Sequence, residues 1–189
     1  MDPAPSPQIA DVFGPVMMLA VKNDEGNLRK ARKAWESYAV EGNAKRVATL
    51  RGLLEAEKAS NIHKEGAVLC DPSAAIALLW MRRTLQFLAR CLQGLIDDVN
   101  IADVGSEAYR LELEPFHNWL LKQTFSMALT GFPARKEIFE RLGGHAPEGH
   151  ERDRLVPLEL QQVLAQLHLV VDSMRSLFEE LGLEDMRKV

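Results

Sequence analysis

The strongest constraint on this chain is where its glycines and prolines do not fall. The 12 Gly and 9 Pro gather at a few points. The segments between them are rich in Leu, Ala, Glu, Lys, Arg and Met, the side chains that lose least freedom in a helix. No run shows the period-two alternation bounded by turn residues that a sheet requires. The chain is therefore read as all-α. The pattern predicts helices over 9–22, 27–38 and 43–59, the second opening at the turn Asn23-Asp24-Glu25-Gly26. The third carries Leu50, Leu53, Leu54 and Glu57 as one half-buried face.

Asp71-Pro72-Ser73 reads as the start of a helix over 73–99, since Asp can cap free amides and Pro fits the first helical position. That helix is the most apolar and is expected at the centre. Further helices are predicted over 106–130, kinked or broken near Pro115, over 133–142, and over 158–181 ending at Gly182. Residues 143–149 read as a flexible loop. With no internal repeat, these seven or eight helices imply a two-layer helical sandwich. It is read as one domain over 1–189, with a Pro-rich, flexible tail at 1–8.

Composition narrows the function classes. The 189 residues are 47% hydrophobic, enough for a real core. Lys and Arg total 23 against 27 Asp and Glu, a net charge of -4, so no global field draws the chain to nucleic acid or an anionic membrane. No stretch approaches the roughly 20 apolar residues that span a bilayer. The start lacks the basic and apolar regions of a signal or transit peptide. Cys70 and Cys91 sit in or beside apolar runs and read as buried thiols of a reducing compartment. A cytoplasmic monomer is expected.

No enzyme motif is present: no Gly-rich phosphate loop, no nucleophile elbow, no His-Glu-x-x-His and no Cys-x-x-Cys. His145 and His150 lack the neighbouring Cys or acids that would complete a metal site. Neither a metal nor a cofactor is expected. What stands out is polar residues where a helical core would not want them. Asn23, Asn27 and Lys30 stand at i, i+4 and i+7, which puts two carboxamides and an ammonium on one helical face. Such a face offers donors and acceptors to sugar hydroxyls; the same spacing also fits a solvated, capped helix start. Trp80, ahead of Arg82 and Arg83, suits either a helical core or a stacking platform for a sugar ring. His117, within Phe116-His117-Asn118-Trp119, suits a bonded core histidine or a ligand contact.

Taken together, several short motifs in order resemble the glycolipid transfer protein family. They are Asn27-Leu28-Arg29-Lys30, Leu53-Leu54-Glu55-Ala56-Glu57-Lys58, Ile76-Ala77-Leu78-Leu79-Trp80-Met81-Arg82-Arg83, Ala108-Tyr109 followed by His117-Asn118-Trp119, Phe125-Ser126-Met127-Ala128-Leu129, and Asp185-Met186-Arg187-Lys188-Val189. The resemblance implies a helical sandwich that holds a lipid's sugar at a surface site and its chains in an apolar pocket. Asn27 and Lys30 would then bond the first sugar, Trp80 would stack under it, and His117 would bond the ceramide amide, with Asn23, Asp24 and Tyr109 completing the headgroup group.

Ile76, Phe87, Cys91, Leu95, Leu113, Phe125, Ala128, Ile138, Leu142 and Val189 match chain-lining positions, which packed core residues would match equally. Trp119, Phe132, Pro133, Arg135 and Lys136 would meet the membrane, where amphipathic rings and basic side chains are favoured. The family's phosphate-binding branch has Arg where this chain has Trp80 and Ile76, so the resemblance favours sugar over phosphate. Where the glycolipid branch has Asp, this chain has Asn23, with Asp24 adjacent; a shift by one residue at the turn would bring Asp24 in instead. The implied function is transfer of glycosphingolipid between membranes without covalent chemistry. Its alternative is a lipid sensor that signals to a protein partner.

Overall fold

The computed structural model describes residues 12–40, 42–144 and 149–188, so the tail at 1–8, His145 and Val189 lie outside the described residues. Seven α-helices occur among them: α1 (Pro15–Tyr38), α2 (Leu50–Ala59), α3 (Ala74–Ile96), α4 (Ile101–Glu112), α5 (Trp119–Leu129), α6 (Arg135–Leu142) and α7 (His150–Leu181). Short 3-10 turns span Arg46–Ala48 and Glu114–Phe116. The only β pairing among the described residues is a single bridge, Lys64 with Val68.

Helix α3 is the axis of the fold, packing against α1, α4 and α7. Its first turns are small and apolar, with Ala74, Ala75 and Ala77 fully buried, so neighbours approach its backbone closely. At its far end Gly94 serves the same purpose: a Cβ there would lie 2.5 Å from Val104 Cγ1 of α4. Two apolar clusters result, one including Phe13, Phe87, Leu95 and Ile138, the other including Leu54, Leu79 and Phe178. Trp80 packs against both.

Several predicted boundaries are corrected. Residues 23–26 are not a turn but the middle of α1. Locally they favour a break, yet Val16, Met17, Ala20, Asn27 and Ala31 form one buried stripe, and its packing outweighs the cost of Gly26, about 1 kcal/mol against Ala. The entry to α1 is Gly14, whose φ of 76° suits Gly and whose absent Cβ would stand 2.8 Å from the Gly131 carbonyl. In the predicted 43–59 helix, regular α-structure starts only at Leu50, which is exposed, while Leu53, Leu54 and Glu57 are buried as expected.

Asp71 and Pro72 do not open α3. They are joined by a cis peptide, and Ser73 is the cap, accepting from the Ile76 amide at 3.1 Å. The next amides, Ala74 and Ala75, are each met at 2.7 Å by one oxygen of the buried Glu57 carboxylate, brought over by α2. Helix α4 begins at Ile101, ahead of the predicted 106, because Asn100 caps it. The break at Pro115 is present: α4 ends, a 3-10 turn holds the proline, and Asn118 caps α5. Helix α6 starts at Arg135, just after the predicted Pro133. Helix α7 begins at His150 and carries Pro157 inside it, where a start at 158 was predicted.

Past Gly182, whose left-handed backbone ends α7, residues 183–188 are neither helix nor strand. Two buried arginines of α3 hold them: Arg82 pairs with Glu184 at 2.6 Å, and Arg83 donates to the Asp185 carbonyl. The Asp185 carboxylate in turn accepts from the Leu69 amide at 2.9 Å. Of the two thiols, Cys91 is buried as expected, and burial pushes it up to about 12. Cys70 is exposed, contrary to expectation, because it sits in the irregular segment before α3 rather than in a packed helix.

Candidate functional site

A cleft of about 560 Å³ opens between α1, the first half of α3, the 113–125 segment and Arg187 near the C-terminus. Helix α1 contributes Asn23, Asn27 and Lys30 to its wall, the i, i+4, i+7 face predicted from spacing. Asn27 is buried to 5% exposure, and its Nδ2 donates to Asp24 Oδ1 at 3.4 Å, so its own carbonyl oxygen is left as an acceptor. Lys30 Nζ is held 2.7 Å from Asp71 Oδ1. Three donor positions on one ammonium leave others to spare.

The structure answers which residue of the pair at 23 and 24 borders the cleft. Asn23 is exposed on its rim, while Asp24 sits beside it, accepting from Thr84 Oγ1 at 3.3 Å as well as from Asn27. Burial raises the Asp24 carboxyl to about 6, with the Asn27 and Thr84 bonds acting in the other direction.

Trp80 and His117 both border the cleft and lie near each other. Their ring centroids are 5.5 Å apart with planes 23° from parallel. Arg83, whose carbon lies 3.4 Å from the Phe116 ring centroid and 5.2 Å from that of Trp80, adds cationic contact to both rings. Burial lowers the Arg83 guanidinium to about 10. His117 is lowered to about 4, chiefly by burial and then by Lys122 and Arg83, so it is neutral at physiological pH. Tyr109 Oη is 3.1 Å from His117 Nδ1, and burial raises the phenol to about 12. With the phenol as donor to Nδ1, the neutral histidine carries its proton on Nε2, which is then a free donor. Tyr109 itself is buried behind the histidine and does not border the cleft; it acts on the site through His117.

Of the predicted chain-lining residues, Ile76, Leu113 and Phe125 border the cleft. Phe87, Cys91, Leu95 and Ile138 have no exposed surface; with Ala128 they form close-packed core, and Leu142 packs half-buried against it. The apolar interior is therefore closed, and a chain longer than the cleft has to part these side chains.

The predicted membrane patch divides. Trp119, the first residue of α5, is 72% exposed, and Leu120 and Met127 of the same helix are exposed too. Phe132 and Pro133 are only half-buried surface, since the Phe132 ring packs on Gly105. Arg135 is drawn inward, bonded to the Leu95 carbonyl at 3.0 Å and Asp98 at 3.1 Å and stacked on Phe139, so those contacts hold its guanidinium against the fold. Lys136 extends into solvent near Glu140.

Thr84, Leu69, Asp71, Leu121 and Arg187 have no place in the site predicted from the sequence, yet all border the cleft. Arg187 lay within a quoted motif, yet nothing local showed that the C-terminal residues return to this wall.

These features define a class of all-helical protein whose cleft joins polar and apolar side chains around an aromatic pair. The chain belongs to the glycolipid transfer protein family: the family model described as glycolipid transfer protein (GLTP) matches residues 6–144. A zebrafish (Danio rerio) glycolipid transfer protein is 31% identical over 144 residues, covering 72% of this chain and 65% of that one. The chain thus spans a little under two thirds of that relative's length. Among solved structures, the GLTP-fold by which FAPP2 selects simple glycosphingolipids superposes with a TM-score of 0.75 at 22% identity, covering 95% of this chain and 82% of that chain. Mouse ceramide-1-phosphate transfer protein, in its apo form, gives 0.72 at 21%, covering 92% and 81%. At these identities the likeness is one of fold. The two names carry different headgroups, so the fold does not choose between them.

Proposed function

We propose that this chain binds a sugar-headed sphingolipid in the cleft and carries it between membranes without covalent chemistry. The observation that carries this is the convergence around one cleft of Asn27 and Lys30 with Trp80 and His117, three stretches that lie far apart in sequence. The Asn27 carbonyl and the Lys30 ammonium serve sugar hydroxyls, the exposed part of the indole serves the ring's C–H face, and His117 Nε2–H serves an amide carbonyl at the sugar–lipid junction. Ile76, Leu113 and Phe125 continue the cleft inward as an apolar wall for the chains. Each methylene withdrawn from water contributes about 0.8 kcal/mol, which is why a lipid needs a sleeve to cross it.

Trp119 and Leu120, at the start of α5, with Met127 further along it, form the membrane contact, since an amphipathic indole is favoured at the interface. On this reading the protein works as a monomer in the cytoplasm and touches membranes transiently. No helix of the described residues is long and apolar enough to cross a membrane. The test is the rate at which a labelled glycosphingolipid moves between two vesicle populations. Acceleration by the protein is expected; tight binding without acceleration would replace transfer with a sensor that reports the lipid to a partner.

A further inference from the structure

Arg187 brings to the cleft a cation that α1 and α3 do not supply. Its Nε and Nη2 grip the Asp185 carboxylate at 2.9 and 2.6 Å, and Nη2 also donates to the Leu69 carbonyl at 3.0 Å. Nη1 has no hydrogen-bond acceptor among the described residues, and the side chain is 53% exposed where it borders the cleft. Leu69 and Asp71 belong to the same short segment before α3, and Asp71 holds Lys30. One segment thus fixes two cations on a shared wall.

The charge of that wall is one-sided. Among the described residues, Lys22, Lys30 and Arg187 border the cleft against the single carboxylate of Asp71. Asp185 is spent on Arg187 and the Leu69 amide, and Asp24 is turned toward Thr84. On the rim Asn23 offers a neutral amide, which would not repel an anion. A guanidinium clamped on one edge with its other nitrogen open is pre-organised for an oxyanion, because little side-chain freedom remains to be lost on binding.

Resting on the headgroup reading above, we propose that the cleft selects a lipid whose headgroup carries a compact oxyanion ester, bound by Arg187 Nη1 with Lys30 as second cation. Sulfate and phosphate share that chemistry. Trp80 as a sugar platform points to the sulfate ester of a sugar-headed lipid rather than to a phosphate directly on ceramide.

The test compares transfer of three labelled lipids by the full chain from neutral phosphatidylcholine vesicles: a monohexosylceramide, its sulfated form and ceramide-1-phosphate. The sulfated lipid is expected to move about five- to tenfold faster than the neutral one. Arg187→Gln should bring that ratio near one. Because Arg187 also anchors the C-terminal residues, Asn23→Asp provides a second arm: on the exposed rim, it should lower the ratio without touching that anchor. An advantage of ceramide-1-phosphate over the neutral lipid, lost in Arg187→Gln, would assign the same oxyanion site to phosphate. Equal transfer of neutral and anionic lipids by the unmodified protein, or a ratio unmoved by both substitutions, would overturn the inference and leave the glycolipid reading standing. Failure to bind any of the three would overturn both.

Discussion

Trp80 and His117 lie almost parallel, 5.5 Å apart, and the histidine is fixed from behind by the Tyr109 hydroxyl. An indole in contact with a neutral imidazole, backed by a protonated phenol, is a rigid surface with one directed donor beside it. The three residues come from α3, α4 and the segment between α4 and α5, so the pair forms only when those elements dock.

Trp80→Ala removes the platform while leaving α3 capped by Ser73 and Glu57. Glycolipid affinity should fall about tenfold or more, while the protein remains helical and melts cooperatively. Binding by tryptophan-independent calorimetry alongside a thermal melt checks this. Parallel loss of binding and folding would return Trp80 to the role of a core residue joining the two apolar clusters.

Asp24 and His117 give the site opposed pH dependences. The Asp24 carboxyl stands at about 6 in the folded protein, above its ordinary value of 3.8. Its contribution to stability is therefore present below that ordinary value and lost as pH rises through 6. His117, lowered from 6.5 to about 4, contributes above 6.5 and loses that contribution as pH falls through 4. Asp24→Asn keeps an oxygen for Thr84 and Asn27 but removes the buried charge. It should raise Tm by about 2–4 °C near pH 7.5 and change it little near pH 3.5. Melting curves across that range would show a difference that grows with pH; a constant difference would contradict it.

Glu57 supports the site from a distance. Its two oxygens meet the first free amides of α3, and α3 carries Trp80 and both buried arginines. Glu57→Gln leaves one oxygen for two amides and should cost about 1–3 kcal/mol in urea unfolding. The preference among lipid headgroups should not change, since Glu57 does not border the cleft.

Trp119→Ala tests the membrane contact separately from the cleft. The side chain is so exposed that folded stability should stay within about 0.5 kcal/mol. Partition onto phosphatidylcholine vesicles and the transfer rate should both fall several-fold, with binding of a short-chain, water-soluble glycolipid unaltered. Unchanged vesicle binding would place the contact elsewhere.

The amino-acid sequence alone determined that this chain is helical, that the helical stretch from Ala74 is the apolar centre, that Pro115 splits the next helical stretch in two, and that Asn23, Asn27 and Lys30 share a face. Each depends on neighbours within a turn or two: a missing amide, a 3.6-residue stripe, a run of residues with low helical cost. The tertiary structure decided the rest. Residues 23–26 favour a turn by themselves, and only the docking of α1 on α3 makes them helix. The last helix is predicted from 158, yet α7 begins at His150 and runs through Pro157, with Val156 beside it buried in the core. Arg135 reads as a surface cation until Asp98 and the Leu95 carbonyl draw it in. Arg187 joins the cleft only because Asp185 and Leu69, the latter 118 residues away, hold it there. The polar face of Asn23, Asn27 and Lys30 is a local property of one helix. The charge it confronts is set by contacts between segments remote in the chain, which no local pattern records.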